Sequence, residues 1–153
     1  MSSSRLPGKV MADLVGAPMI LRQIERVRRA KGLDQIVVAT STHASDDGLA
    51  DALTAEGIGV YRGPLDDVLA RFIGALDTFS GHETVVRLTA DCPLADPALI
   101  DQTLDLHRTS GADYASNTPE RRSYPKGLDV EVMTASVLRQ AAAEATDPMT
   151  ASM

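Results

Sequence analysis

Ile36-Val37-Val38-Ala39 is wholly apolar and β-branched at its first three positions. Stretches of helical periodicity lie on either side of it. A run apolar on every side must be covered on both faces, which is the mark of a buried strand in a layered α/β fold. Pro18 to Lys31 reads as the helix before it. Ile20, Leu21, Ile24 and Val27 recur at helical spacing, Arg26, Arg28 and Arg29 lie outside, and Gly32 ends the run. Asp46 is placed to cap the next helix, through Leu49, Ala52 and Leu53, which Gly57 stops before a strand at Ile58 to Tyr61. Leu65, Leu69, Phe72, Leu76 and Phe79 make another helical stripe, and Thr84 to Leu88 another strand. Asp96-Pro97 opens a helix to His107; Asp113 to Ser116 and Leu128 to Val132 read as strands, and Ala135 to Ala145 as a last helix. Strands and helices alternating through short connections predict an α/β fold with a mostly parallel sheet.

No repeat, low-complexity tract or linker interrupts this order, and 153 residues suit one domain with a real core. With 3% aromatic residues and no Trp, that core must rest on Leu, Val, Ile and Ala. The net charge of −6 argues against a nucleic-acid partner, which needs a broad basic face. A small polyanion stays compatible, because local cations decide its binding. The single cysteine, Cys92, allows no internal disulfide and fits a reducing compartment. No apolar run reaches membrane-spanning length and the start lacks the apolar core of a signal peptide, so the expectation is cytoplasmic.

In parallel α/β sheets ligands bind beyond the carboxyl ends of the strands. That rule selects Ala39-Thr40-Ser41, Arg62-Gly63, Thr89-Ala90-Asp91 and Asn117. Asp91, just past a buried strand, is suited to a hard cation, or else to capping a turn; Asp96 already fills the capping role. Cys92, with no His suitably placed, reads as structural. In Leu128 to Val132, period two puts Asp129 and Glu131 on one face. They form either a carboxylate pair for one or two Mg²⁺ ions near Asp91 or the solvated side of an edge strand. Asp66 and Asp67 complement a helix dipole, whereas Arg62 and Arg71 have the length to reach a cleft. Arg121 to Lys126 is a cationic loop carrying Tyr124: a clamp for a substrate carboxylate, or an exposed basic loop.

At the amino end, Ser4-Arg5-Leu6-Pro7-Gly8-Lys9 places two cations around a Pro-Gly turn, after Ser2 and Ser3. Glycine lets backbone approach a bulky anion, Arg offers a fork of donors and Lys a mobile charge. The segment suits a loop over nucleotide phosphates, or a frayed basic terminus. It is no Walker loop, since Val10 stands where Ser or Thr should follow the lysine.

Together SSSRLPGKV, IERVRRAKGLDQIVVATS, RGPLDDVLARF, RLTADCPLADPALID, DYASN and YPKGLDVEV resemble the cytidylyltransferase-like family, from Ser2 to about Ala145. That family includes CMP-ketodeoxyoctonate and CMP-acylneuraminate synthetases, and the branch most resembled is the spore-coat polysaccharide biosynthesis proteins F. The resemblance implies a Rossmann-like three-layer α/β/α fold of the nucleotide-diphospho-sugar transferase type. It implies transfer of CMP from CTP to a sugar hydroxyl with release of pyrophosphate, in coat, capsule or glycan assembly. By position, Arg5 and Lys9 would hold the β- and γ-phosphates, with Ser4 and Gly8 in the same loop. Ala39, Thr40 and Ser41 would border the base and ribose, with Arg62 beside the nucleotide. Asp91 would bind Mg²⁺, with Asp129 or Glu131 as a second carboxylate, and Asn117, Tyr124 and Lys126 would face the sugar.

Family members begin with an apolar strand ending Gln-Ala-Arg, whereas this chain begins at Met1, and Asp147 to Met153 does not resemble the family's continuation. The expectation is a single domain truncated at both ends, with a sheet gap that a second copy could close as a homodimer. Two other functions fit the residues. One is a non-catalytic nucleotide-binding module. The other is a glycosyltransferase using a ready-made nucleotide sugar, for which the usual Asp-x-Asp is replaced by Asp91-Cys92-Pro93.

Overall fold

Residues 8–119 and 121–145 are described by a computed structural model. They fall into two units, one of Ile36–Glu83 with residues 135–145, the other of residues 8–35 with Thr84–Thr134.

In the first unit, strand β1 (Val37–Ser41) and strand β2 (Gly59–Gly63) pair in parallel, from Val37 opposite Gly59 to Ser41 opposite Gly63. Parallel neighbours require a crossover, supplied by helix α2 (Asp47–Ala55), whose Leu49, Ala50 and Leu53 are buried. Helix α3 (Val68–Thr78) packs on both strands and against helix α5 (Ala135–Glu144). The start of α3 corrects the sequence expectation. The helix begins at Val68 rather than Leu65, and Asp67 is its cap, accepting from Ala70 N at 2.8 Å. Leu65 stays outside, where its carbonyl and that of Pro64 take hydrogen bonds from Arg71. That arginine, expected to be free to reach a cleft, instead secures the entry to its own helix.

In the second unit, helix α1 (Met19–Val27) buries Ile20, Ile24 and Val27 of the predicted stripe and the amide Gln23, while Leu21, expected in that stripe, is only part-buried. Helix α4 (Pro97–Ser110) starts on the expected Asp-Pro signal: Asp96 accepts from Ala98 N at 2.8 Å, with Pro97 in the first turn. Its Asp101 accepts from Lys31 N and Gly32 N at 2.9 and 3.0 Å, tying the exit of α1 to α4. Strands β3 (Thr84–Arg87), β4 (Tyr114–Ser116) and β5 (Glu131–Thr134) form a sheet in the order β3-β5-β4, with β5 antiparallel to both neighbours. β3 and β4 therefore run the same way, and only β5 is reversed against its partners. α4 packs on β4 and β5.

β5 is shifted from the expected Leu128–Val132. Gly127 adopts φ 93° and Leu128 N bonds to Pro125 O, so the chain is still turning where a strand was predicted. The apolar alternation survives the shift, with Val130 and Val132 at 2% and 0% exposure.

Candidate active site

Two polar centres lie at strand ends. In the first unit the chain leaves β1 through Thr40 and Ser41 and returns at Asp46, which is 1% exposed. The Asp46 carboxylate accepts from Thr40 Oγ1 at 2.7 Å, Ser41 Oγ at 2.6 Å and Ser41 N at 3.0 Å. Burial disfavours its charge, but the hydrogen bonds from Ser41 and Thr40 help hold the carboxyl well below the usual range. Asp46 therefore ties down the end of β1 and makes no side-chain cap on α2. Both hydroxyls expected at a nucleotide are turned into the protein. Arg62 is also anchored, donating to Ser41 O at 2.9 Å, to His43 O at 3.2 Å and to Asp47 at 2.6 Å. Ala39 lies opposite Tyr61 in the β1–β2 ladder.

The second centre follows β3. Gly8, at φ 71°, turns the chain into a short 3-10 turn at Lys9–Met11. Lys9 Nζ then reaches Asp91 Oδ2 at 2.5 Å across 82 residues of sequence. The hydrogen bond and charge of Lys9 pull the Asp91 carboxyl below its ordinary range against the opposing effect of burial. Asp91 is thus an ionised oxygen donor, its side chain 42% exposed. Beside it, Cys92 Sγ lies 3.1 Å from Thr89 Oγ1, and burial above all pushes its thiol up, which disfavours a nucleophilic role.

Sequence-predicted partners of Asp91 are placed less simply. Asp129 forms a two-pronged pair with Arg122 at 2.8 and 2.9 Å, and Glu131 pairs with Arg87. Each carboxylate expected to share a cation has a guanidinium of its own. Among the described residues no three His, Cys, Asp or Glu side chains gather as a metal cluster. Asn117, expected to face a sugar, clasps the chain entering β5: its Nδ2 donates to Leu128 O at 2.7 Å and its Oδ1 accepts from Val130 N at 2.8 Å. Tyr124 and Lys126 are exposed in the loop that follows. Ser4 and Arg5 lie outside the described residues.

Sequence reasoning missed Asp46 as an anchor, and missed Gln23. Asp46 carried a signal, since two hydroxyl residues end an apolar strand five residues before it. Gln23 carried one too, as the polar residue inside the apolar stripe of α1.

A glycine turn whose lysine is ion-paired to a carboxylate beyond a strand end stands where open α/β sheets bind their ligands. The cytidylyltransferase family profile matches residues 1–142, and the chain belongs to that family. It is 34% identical over 142 residues to the spore coat polysaccharide biosynthesis protein SpsF of Bacillus subtilis, covering 90% of this chain and 57% of that protein. It is 36% identical over 121 residues to a 3-deoxy-manno-octulosonate cytidylyltransferase of Mesorhizobium japonicum, covering 76% of this chain and 48% of that one. The solved structure of a cytidylyltransferase from Leptospira borgpetersenii matches with a TM-score of 0.90 at 29% identity, over 99% of this chain and 63% of that chain. The fold is therefore α/β of the nucleotide-diphospho-sugar transferase type. The chain spans about half the length of the curated relatives it matches.

Proposed function

We propose that this chain serves CMP transfer from CTP to a sugar hydroxyl, in assembly of a surface polysaccharide or other glycan. The hydroxyl oxygen attacks the α-phosphorus and gives up its proton to water, the bond from that phosphorus to the bridging oxygen breaks, and pyrophosphate leaves with its electron pair. The observation that carries the reading is the Lys9–Asp91 pair, which joins the Gly8-Lys9 turn to the turn after β3. Such a reaction needs positioning and charge neutralisation more than covalent help from the protein.

An ammonium has three donors, so Lys9 can keep Asp91 and still donate to a phosphate oxygen of the leaving group. Arg5, four residues earlier in the sequence, would add a forked donor to that group. The donor set at Asp91 fits Mg²⁺: one ionised, half-exposed carboxylate, the usual protein share of a site completed by phosphates and water. Bound there, the ion would supply positive charge against the departing pyrophosphate. Asp129 is tied to Arg122 in the loop before β5 and Glu131 to Arg87 across the β3–β5 pair, so each has a structural duty of its own. Tyr124 and Lys126 suit the sugar, an acidic one in particular, and Asn117 acts through the backbone it clasps. Among the described residues no helix is long and apolar enough to cross a membrane.

The test is release of pyrophosphate and CMP-sugar from labelled CTP across a panel of acidic and neutral sugars. Turnover should need Mg²⁺ and fall about 100-fold or more in Asp91→Asn and in Lys9→Met, the scale of losing one charge-stabilising group. Nucleotide affinity without turnover would mean a non-catalytic nucleotide-binding module instead. Absence of CTP binding would sink both.

A further inference from the structure

Helix α1 grips the turn that carries Asp91 at both ends. Gln23 and Arg26 are three residues apart and so share one helix face. Gln23 Nε2 donates to Thr89 O at 2.8 Å, and Arg26 Nε donates to Ala95 O at 2.9 Å. Between these anchors the turn is closed internally by Ala95 N to Cys92 O at 3.0 Å and by the Thr89–Cys92 contact. Beyond them, Asp96 fixes the start of α4.

Gln23 is a costly choice for its position. It is 4% exposed, and its Oε1 has no hydrogen-bond partner among the described residues. An unmatched buried polar atom is destabilising, whereas an aliphatic side chain there would extend the stripe of Ile20, Ile24 and Val27. What the amide supplies in return is the bond to Thr89, two residues before Asp91.

The geometry points to Gln23 and Arg26 as positioning residues that hold the Asp91 carboxylate in place for the transfer reaction. This rests on the function proposed above. Neither side chain reaches the carboxylate itself; both act on the carbonyls that bracket it. A misplacement of about 1 Å at a reacting centre can cost about 100-fold in rate, so two anchors on one rigid helix are a sufficient device.

The test uses the full chain in two variants. Gln23→Met keeps the volume and loses the donor; Arg26→Lys keeps the charge and loses the Nε donor. Cys92, the single cysteine, reports on the turn through its rate of labelling by a chromogenic disulfide at fixed pH without nucleotide. Labelling should quicken at least fivefold in each variant. The half-saturating Mg²⁺ concentration for turnover should rise about tenfold, with KM for the sugar unchanged. A purely structural role would lower the thermal midpoint and leave the Mg²⁺ dependence where it was. Folded variants with wild-type labelling and wild-type Mg²⁺ dependence would overturn the inference. Should Gln23→Met fail to fold, Arg26→Lys decides by the same two measurements. Should the wild-type chain show no turnover, the proposed function fails, and Cys92 labelling still decides whether the turn is held this way.

Discussion

Asp46 and Asp91 each follow a strand, and their neighbours give them opposite duties. Asp46 is enclosed by hydroxyls and backbone amide and holds the end of β1. Asp91 meets an ammonium and keeps part of its surface toward solvent. Because Lys9 depresses the Asp91 pKa, their mutual stabilisation is present above the ordinary carboxylate range, near 4, and is lost as pH falls through the folded value. The difference in melting temperature between wild type and Lys9→Met should therefore hold from pH 8 to 5 and shrink below about 4. A difference growing on acidification would contradict the pairing. Val15 shows a cost of another kind. It is β-branched, 83% exposed and at φ 55°, in the left-handed region, where it and Gly16 make a two-residue turn closed by Leu14 N to Ala17 O at 2.8 Å. Such turns favour Asn-Gly, and a strained residue costs about 1–3 kcal/mol. Val15→Asn should raise stability by about 1 kcal/mol, or ~3 °C in a melt, and a lower midpoint would refute the strain.

Among the elements, α3 carries the clearest conflict between local preference and packing. Gly74 lies inside this helix, where propensity alone makes Ala better by about 1 kcal/mol. A Cβ at Gly74 would stand 2.0 Å from Tyr61 Oη and 2.1 Å from the ring carbon bearing it. Tyr61 belongs to β2, so the glycine lets helix and strand approach over a tyrosine. Overpacking of this kind costs about 1–3 kcal/mol and outweighs the propensity gain. Gly74→Ala should lower the denaturation midpoint, and added stability would show that Tyr61 moves aside freely. The other elements show which sequence signals travel well. Asp96-Pro97 started α4 where expected, because cap and first-turn proline act within a few residues. The expected strand at Leu128 began three residues late, because Gly127 and the Asn117 clasp, supplied from 11 and 13 residues away, decide where pairing can start.

For the molecule as a whole, family membership and half-length coverage of relatives make ligand linkage the most direct measure of function. CTP with Mg²⁺ at about 100 times its dissociation constant should stabilise the folded chain by about 2.7 kcal/mol. Asp91→Asn should abolish most of that increment, and an equal shift with and without the carboxylate would exclude Asp91 from the nucleotide site. Although the α3 stripe and the Val37–Ala39 run are only part-buried, the order of helices and strands, the family motifs and apolar core positions such as Ile20, Ile24, Val27, Leu49 and Leu53 were legible in the sequence alone. They rest on periodicities and caps that operate over one or two turns of chain. The family resemblance gave Lys9 to the phosphates and Asp91 to an ion, and the folded chain adds an ion pair between the two. Only the tertiary structure decided that Thr40, Ser41 and Asn117 bond inward, that Asp129 and Glu131 each take an arginine, and that Gln23 and Arg26 reach the Asp91 turn. A hydrogen-bonding side chain looks the same in sequence whether it will hold a ligand or a distant carbonyl. Which it does depends on what the fold brings within about 3 Å of it.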